Sequence, residues 1–218
     1  MKLRIVLARL ISVLPLNVLR VFAYRAILGY EIHGSKIGFG TVIDAAQVKI
    51  TKSHLGVFNL FTGPMSILLK ENTYVGAFNR FHCGYWAIEN EFDRDNYERR
   101  LEVAENTIIT SHHLFDVAGS IVIGRNTWIA GVGSQFWTHG IGIRDRNIEI
   151  GMNCYVGSAV RFAPGARIGN NVLVGLGSVV TKRFAINNAL IGGCPAVVIK
   201  VRYDWTKAGP TATLRVNL

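Results

Sequence analysis

Two short stretches hold half of the chain's six histidines among other polar side chains. "SHHLFD" at 111–116 contributes His112, His113 and Asp116, and "SQFWTHG" at 134–140 contributes Gln135, Trp137, Thr138 and His139. An unperturbed imidazole has a pKa of about 6.5, so it can take a proton from a hydroxyl near neutral pH. What these residues can do depends on the elements that carry them. His139 opens "HGIGIRDRN", a break in an otherwise regular pattern, and loops held on a rigid scaffold are where chemistry tends to sit.

The pattern around the break has a period of six. Aliphatic or aromatic residues recur at Ile150, Val156, Phe162, Ile168, Val174 and Val180. Shorter blocks hold Leu69, Val75 and Phe81, then Val103, Ile109 and Phe115, then Ile123 and Ile129 with Gln135 as a polar exception. A small residue usually follows the large one, as in Gly124, Ala130, Gly157, Gly169 and Gly175. A helix wants 3.6 and a strand 2, so a fixed period of six marks a stacked repeat. Three hexapeptides close a triangular coil of about 18 residues, and neighbouring coils pair at about 4.8 Å. The predicted fold is all-β, a parallel β-helix over 32–200, preceded by a basic amphipathic helical segment at 1–31 and followed by a tail at 201–218.

Composition fits one repeat domain with a small appendage: 218 residues, half of them apolar and 17% charged. Cys83, Cys154 and Cys194 are widely spaced without a CxxC pair, so neither a disulfide framework nor a cysteine zinc site is expected. A reducing, cytoplasmic setting follows. The net charge of +10 is partly local, because Lys2, Arg4, Arg9, Arg20 and Arg25 all precede the first acid, Glu31. They alternate with aliphatics on either side of Pro15, which reads as two short helices. These either cap the first coil or also lie on an anionic membrane surface at its inner face. The uncharged run from Leu10 to Leu19 is too short to span a bilayer, and Arg20 and Arg25 after it, with no small-residue cleavage pattern, argue against a signal peptide. Nucleic acid is not expected, since aliphatics rather than stacking aromatics separate the cations. A second lapse of the repeat, from Glu89 to Glu105, holds seven of the fourteen acids and reads as a solvated loop or a wall of an acceptor site.

The run "IEIGMNCYVGSAVRFAPGARIGNNVLVGLGSVVTK", followed by "GGCPAVVIK", resembles the C-terminal half of hexapeptide-repeat acyltransferases, the group that includes galactoside, maltose and xenobiotic acetyltransferases. The resemblance covers about residues 103–200. It implies a left-handed β-helix, a homotrimer with active sites between subunits, and acetyl-CoA as cosubstrate. His139 matches the family's general base and Ser158 the backbone amide that stabilises the oxyanion. Coenzyme contacts map onto Tyr155, Ser158, Gly175, Leu176, Thr181 and Lys182, with Arg183 and Lys200 as substitute cations for the 3'-phosphate, because an arginine of some relatives falls on Val197. His112, His113 and Asp116 read as acceptor contacts or as groups that orient the base, and Gln135 and Trp137 as acceptor contacts, Trp137 offering a face for a sugar.

The activity implied is O-acetylation of a sugar hydroxyl in a surface polysaccharide or glycolipid precursor. N-acetylation of an amino sugar or small amine is the alternative on the same scaffold, and a non-enzymatic scaffold is a further one. The fold also hosts a zinc carbonic anhydrase, but adjacent residues on a strand point to opposite faces, so His112 and His113 cannot both face one metal with His139. No metal is expected.

Overall fold

The computed structural model describes residues 2–89 and 97–207. Two helices, α1 (Lys2–Ser12) and α2 (Asn17–Leu28), are followed by strands that wind into a triangular solenoid. Every strand pair is parallel except the last, where Ala189–Gly193 runs against Ala196–Val201.

The prism has three faces. On the first, Ile50, Leu69, Val103, Ile123, Ile150, Ile168 and Phe184 point inward. On the second the inward residues are Ile37, Leu55, Val75, Ile109, Ile129, Val156, Val174 and Ile191. The third carries Ile43, Phe61, Phe81, Phe115, Phe136, Phe162 and Val180. Its five phenylalanines form one stack, with successive ring centroids 4.3 Å, 4.5 Å, 4.3 Å and 5.0 Å apart. Such pairs each contribute about 0.5–1.5 kcal/mol beyond burial and fix the rise of the coils in this half of the core.

Gln135 is not a polar exception in the six-residue phase. The buried residue is Phe136, and Gln135 faces outward, half-buried. One additional residue in the corner at 131–133 moves the register by one, and a shift of one exchanges the faces of a strand. The run "IGGCPAVVIK" forms the antiparallel hairpin that closes the second face.

The corners explain how the chain turns. One edge places Asn72, Asn106, Asn126, Asn153, Asn171 and Asn188 at φ between 53° and 56°, the left-handed region that asparagine tolerates best after glycine. Their side chains pair across coils, Asn72 to Asn106 at 3.2 Å and Asn126 to Asn153 at 3.1 Å. The edge between the second and third faces needs the same conformation. There Phe58, Phe78 and His112 adopt φ of 55–62° where other coils have Gly40, Gly133, Ala159 and Gly177. Stacking of Phe58 on Phe78 and of Phe78 on His112 offsets the strain.

Candidate active site

The site is built on the edge where the third face turns into the first. Strand Leu114–Asp116 ends there, and one coil on, strand Gln135–Phe136 runs into Trp137, Thr138 and the excursion. Asp116 is 5% exposed, and one of its oxygens, Oδ2, gathers three groups. It accepts the backbone N–H of Thr138 at 2.9 Å, the Thr138 hydroxyl lies 3.1 Å away, and His139 Nδ1 is at 2.7 Å. The hydroxyl itself donates to the Asp116 carbonyl oxygen at 2.7 Å and accepts the Gly119 N–H at 2.8 Å. Asp116 is therefore locked by its neighbours before His139 is considered. A carboxylate accepts only, so Nδ1 carries the proton and Nε2 is left as a lone-pair acceptor.

The His139 side chain is partly open to solvent and lines a cleft of ≈ 660 Å³ with Trp86, Tyr97, Ile141, Ile143, Arg144 and Arg146. Trp86 stands edge-on to the imidazole, centroids 5.3 Å apart, and packs against Tyr97 at 5.1 Å. The Arg146 guanidinium lies 4.3 Å from the centre of the Tyr97 ring. The base of the excursion is tied down: Asn147 accepts the Ser120 N–H at 2.9 Å and donates to Glu98, and Asp145 pairs with Arg167 at 2.9 Å. Trp86 and Tyr97 were not among the residues singled out from the sequence. Both belong to the departure from the third face after Cys83, within or beside the acidic lapse, and no period points to them. Residues 90–96 of that lapse lie outside the described residues.

The other singled-out residues separate into groups. His113 is not an acceptor contact: it is 2% exposed and forms a rung of a buried ladder between Asn79 and Ser134. Its Nδ1 accepts the Ser134 N–H at 3.1 Å, so Nε2 is protonated and donates to the Thr110 hydroxyl oxygen at 2.9 Å. Burial, with the nearby His112, lowers its pKa to about 4, so it stays neutral. His112 stands exposed on the opposite edge of the third face, about 13 Å of strand from Asp116. Gln135 accepts the Trp137 indole N–H at 3.2 Å, and both lie on the outer surface of that face, Trp137 exposed.

Ser158, Gly175 and Leu176 lie on the edge between the second and third faces, Leu176 being 81% exposed. Thr181 and Lys182 are exposed on the edge that carries His139, at the far end of the solenoid, and the exposed Arg183 opens the first-face strand that follows them. Tyr155 lies half-buried on the second face between Trp128 and Trp205, with ring centroids at 5.3 Å and 5.4 Å. Lys200 is exposed on the closing hairpin, above Tyr203. Among the described residues no cluster of three or more His, Cys, Asp or Glu could hold a metal ion.

No family model matches the chain. Among solved structures it is similar to the polysialic acid O-acetyltransferase OatWY, with 18% identity, coverage of 86% of this chain and 97% of that one, and a TM-score of 0.50. The polySia-specific acetyltransferase NeuO gives 18% identity, coverage of 85% and 86%, and a TM-score of 0.51. A hexapeptide-repeat-containing acetyltransferase from Vibrio cholerae O1 biovar eltor, crystallised with acetyl coenzyme A, gives 17% identity, coverage of 92% and 87%, and a TM-score of 0.50. These likenesses show the fold: the chain is a left-handed parallel β-helix of hexapeptide repeats, the fold it shares with these acetyltransferases.

Proposed function

We propose that the protein is an acetyltransferase that moves the acetyl group of acetyl-CoA to a hydroxyl of a sugar, with His139 as general base. The observation that carries this reading is the buried Asp116 carboxylate at 2.7 Å from His139 Nδ1, which leaves Nε2 free and turned to its acceptor role beside a cleft. As the acceptor oxygen bonds to the thioester carbon, its proton passes to Nε2, and Asp116 stabilises the imidazolium. The carbon–sulfur bond then breaks, and the departing thiolate takes that proton back as the ester forms. The charge on the carbonyl oxygen calls for a donor, and the backbone N–H of Ser158 fills that role in this reading.

Ser158 and His139 sit on different edges of one prism, separated by the third face, whose five-residue width from Ser158 to Ala163 is about 16 Å. They can serve one reaction only when the His139 edge of one protomer meets the Ser158 edge of another. In this reading that heterologous contact closes into a ring of three copies, the homotrimer that the resemblance implies, with three sites. The same division applies to the coenzyme: Gly175 and Leu176 come from one edge, Thr181 and Lys182 from the other, with Arg183 directly after them. Lys182 and Arg183 offer charge to phosphate groups, while the half-buried Tyr155 is the side chain assigned to the pantetheine chain.

The test is acetyl-CoA-dependent mass gain on a panel of sugars and glycans, some without amines and some with. One added acetyl on an amine-free sugar supports the reading, whereas acetylation confined to amines selects N-acetyl transfer. His139→Ala removes a side chain that is not part of the core and should lower transfer by roughly 100-fold or more with the fold intact. Undiminished transfer by this variant would remove His139 from the mechanism.

A further inference from the structure

The helical cap carries more apolar surface than capping uses. Ala8, Ile11, Ala23 and Tyr24 are buried, and the Tyr24 hydroxyl donates to the Thr41 carbonyl oxygen at 2.9 Å. This inner side closes the open end of the core, as the terminal coil of a solenoid requires. On the outer side Leu3, Val6, Leu10 and Val13 stand exposed at steps of three and four, which makes one stripe along α1 and just beyond it. Val18 and Phe22 do the same on α2, with Leu3 71% and Phe22 68% exposed. A cap needs one apolar side, and this one has two.

The charge on the outer side has a single sign. Residues 2–30 contain no acid. Two of the arginines are engaged within the protein: Arg4 pairs with Asp44 at 3.7 Å, and Arg20 Nε donates to the Ile37 carbonyl oxygen at 2.9 Å. Arg9 and Arg25 are exposed, Arg9 between Val6 and Val13 on the stripe and Arg25 one turn on from Phe22. Glu31, where acids begin, is met by Lys49 at 3.3 Å. A second copy of the same surface would set arginine against arginine. The boundary of an anionic bilayer accepts both kinds of side chain, apolar groups entering the acyl region and arginines reaching the headgroups.

We infer that the outer face of α1 and α2 lies on the surface of an anionic lipid bilayer. No described helix is long and apolar enough to cross a membrane, which fits a segment that lies in the interface. The strand that leads into His139 is four strand spacings from the first coil of the third face, about 19 Å. The surface so attached would hold the site above the headgroups, within reach of the outer sugars of a membrane-anchored glycan. In a threefold assembly all three caps stand at one level, because rotation about the axis preserves height, and their weak contacts add as avidity.

Flotation of the full chain with vesicles tests this, comparing pure phosphatidylcholine with an equal mixture of phosphatidylcholine and phosphatidylglycerol. Binding to the mixed vesicles is expected, weakened by salt, lowered by Arg9→Gln/Arg25→Gln, and reduced roughly tenfold or more by Leu10→Ser/Phe22→Ser. All four positions are exposed, so thermal stability and acetyl transfer to a soluble acceptor should hold. Absence of flotation with both vesicles would overturn the inference, as would equal binding by Leu10→Ser/Phe22→Ser. A fall in oligomer size for that variant, without vesicle binding by the wild type, would assign the surface to a second copy instead. Because flotation reads no chemistry, its failure and the failure of the acetyl-transfer reading are distinguishable.

Discussion

Asp116→Asn separates the charge of the carboxylate from its geometry. The Thr138 N–H and His139 Nδ1–H, both donors, converge on one oxygen, Oδ2, and the other oxygen receives neither. An asparagine whose carbonyl oxygen takes the place of Oδ2 keeps both bonds and the same imidazole tautomer. What it loses is the charge. Hydrogen bonds to charged groups contribute about 1.5–3 kcal/mol and neutral ones about 0.5–1.5 kcal/mol, so the loss as the imidazolium forms is about 1.5 kcal/mol, more where the cleft excludes water. At about 1.4 kcal/mol per decade this predicts a fall of roughly 10- to 100-fold in kcat, with the melting temperature nearly unchanged. Asp116→Ala differs, because it leaves the buried Thr138 N–H without an acceptor and frees the imidazole to rotate. It should lose more activity and also about 1–3 kcal/mol of stability. The assay is release of the CoA thiol in the presence of an acceptor from the sugar panel, with unfolding followed in parallel. Wild-type kcat in Asp116→Asn would refute the role given to the carboxylate. Equal losses of activity and stability in both variants would show that Asp116 acts only on the fold.

The buried His113 predicts a specific acid sensitivity. Its pKa falls to about 4 in the folded protein from about 6.5 in the unfolded chain, so the unfolded state binds the proton first. Its contribution is whole above pH ~6.5 and is lost progressively as pH falls toward about 4, up to about 3 kcal/mol. Denaturant midpoints at neutral pH and near pH 4.5 should differ less in His113→Asn than in the wild type, and an unchanged pH slope would contradict the burial. The cysteines should differ in reactivity: burial raises the Cys83 thiol to about 12, with the Asp116 charge adding to it, and raises Cys154 to about 11, while Cys194 is exposed. Mass spectrometry after alkylation of the native protein should find Cys194 modified and the other two protected, and equal labelling of all three would count against the packing described.

How much could be read beforehand varies with the physics behind each feature. The period of six was legible because burial repeats with it, one large residue on each face of every coil. The asparagines at left-handed corners carried a second signal, one per coil along a single edge rather than one every six residues, readable from their backbone preference. The pairing of Asp116 with His139 was only partly legible. The two residues are 23 apart in sequence, and their contact depends on strand Leu114–Asp116 lying beside Gln135–Phe136 in register. Register at that point turns on the additional residue at 131–133, which the phase through Gln135 misplaced by one. His112 and His113 looked alike as neighbours in a motif, yet both lie in the corner before strand Leu114–Asp116, where His112, at φ 62°, turns to water and His113 into the core, a division set by the corner and not by strand alternation.

The cleft was the least legible part, since Trp86 and Tyr97 reach His139 from an excursion that follows no repeat. The sequence by itself determined the class of fold and the chemical types available to the site, because hydrophobic burial imposes a periodicity that local composition records. Tertiary structure alone decided which edge each group occupies, that two of the N-terminal arginines serve the interior while the helices keep an apolar outer side, and that one carboxylate oxygen holds the histidine. Those outcomes rest on contacts between residues distant in the chain, set by strand register and packing geometry, which no local pattern encodes.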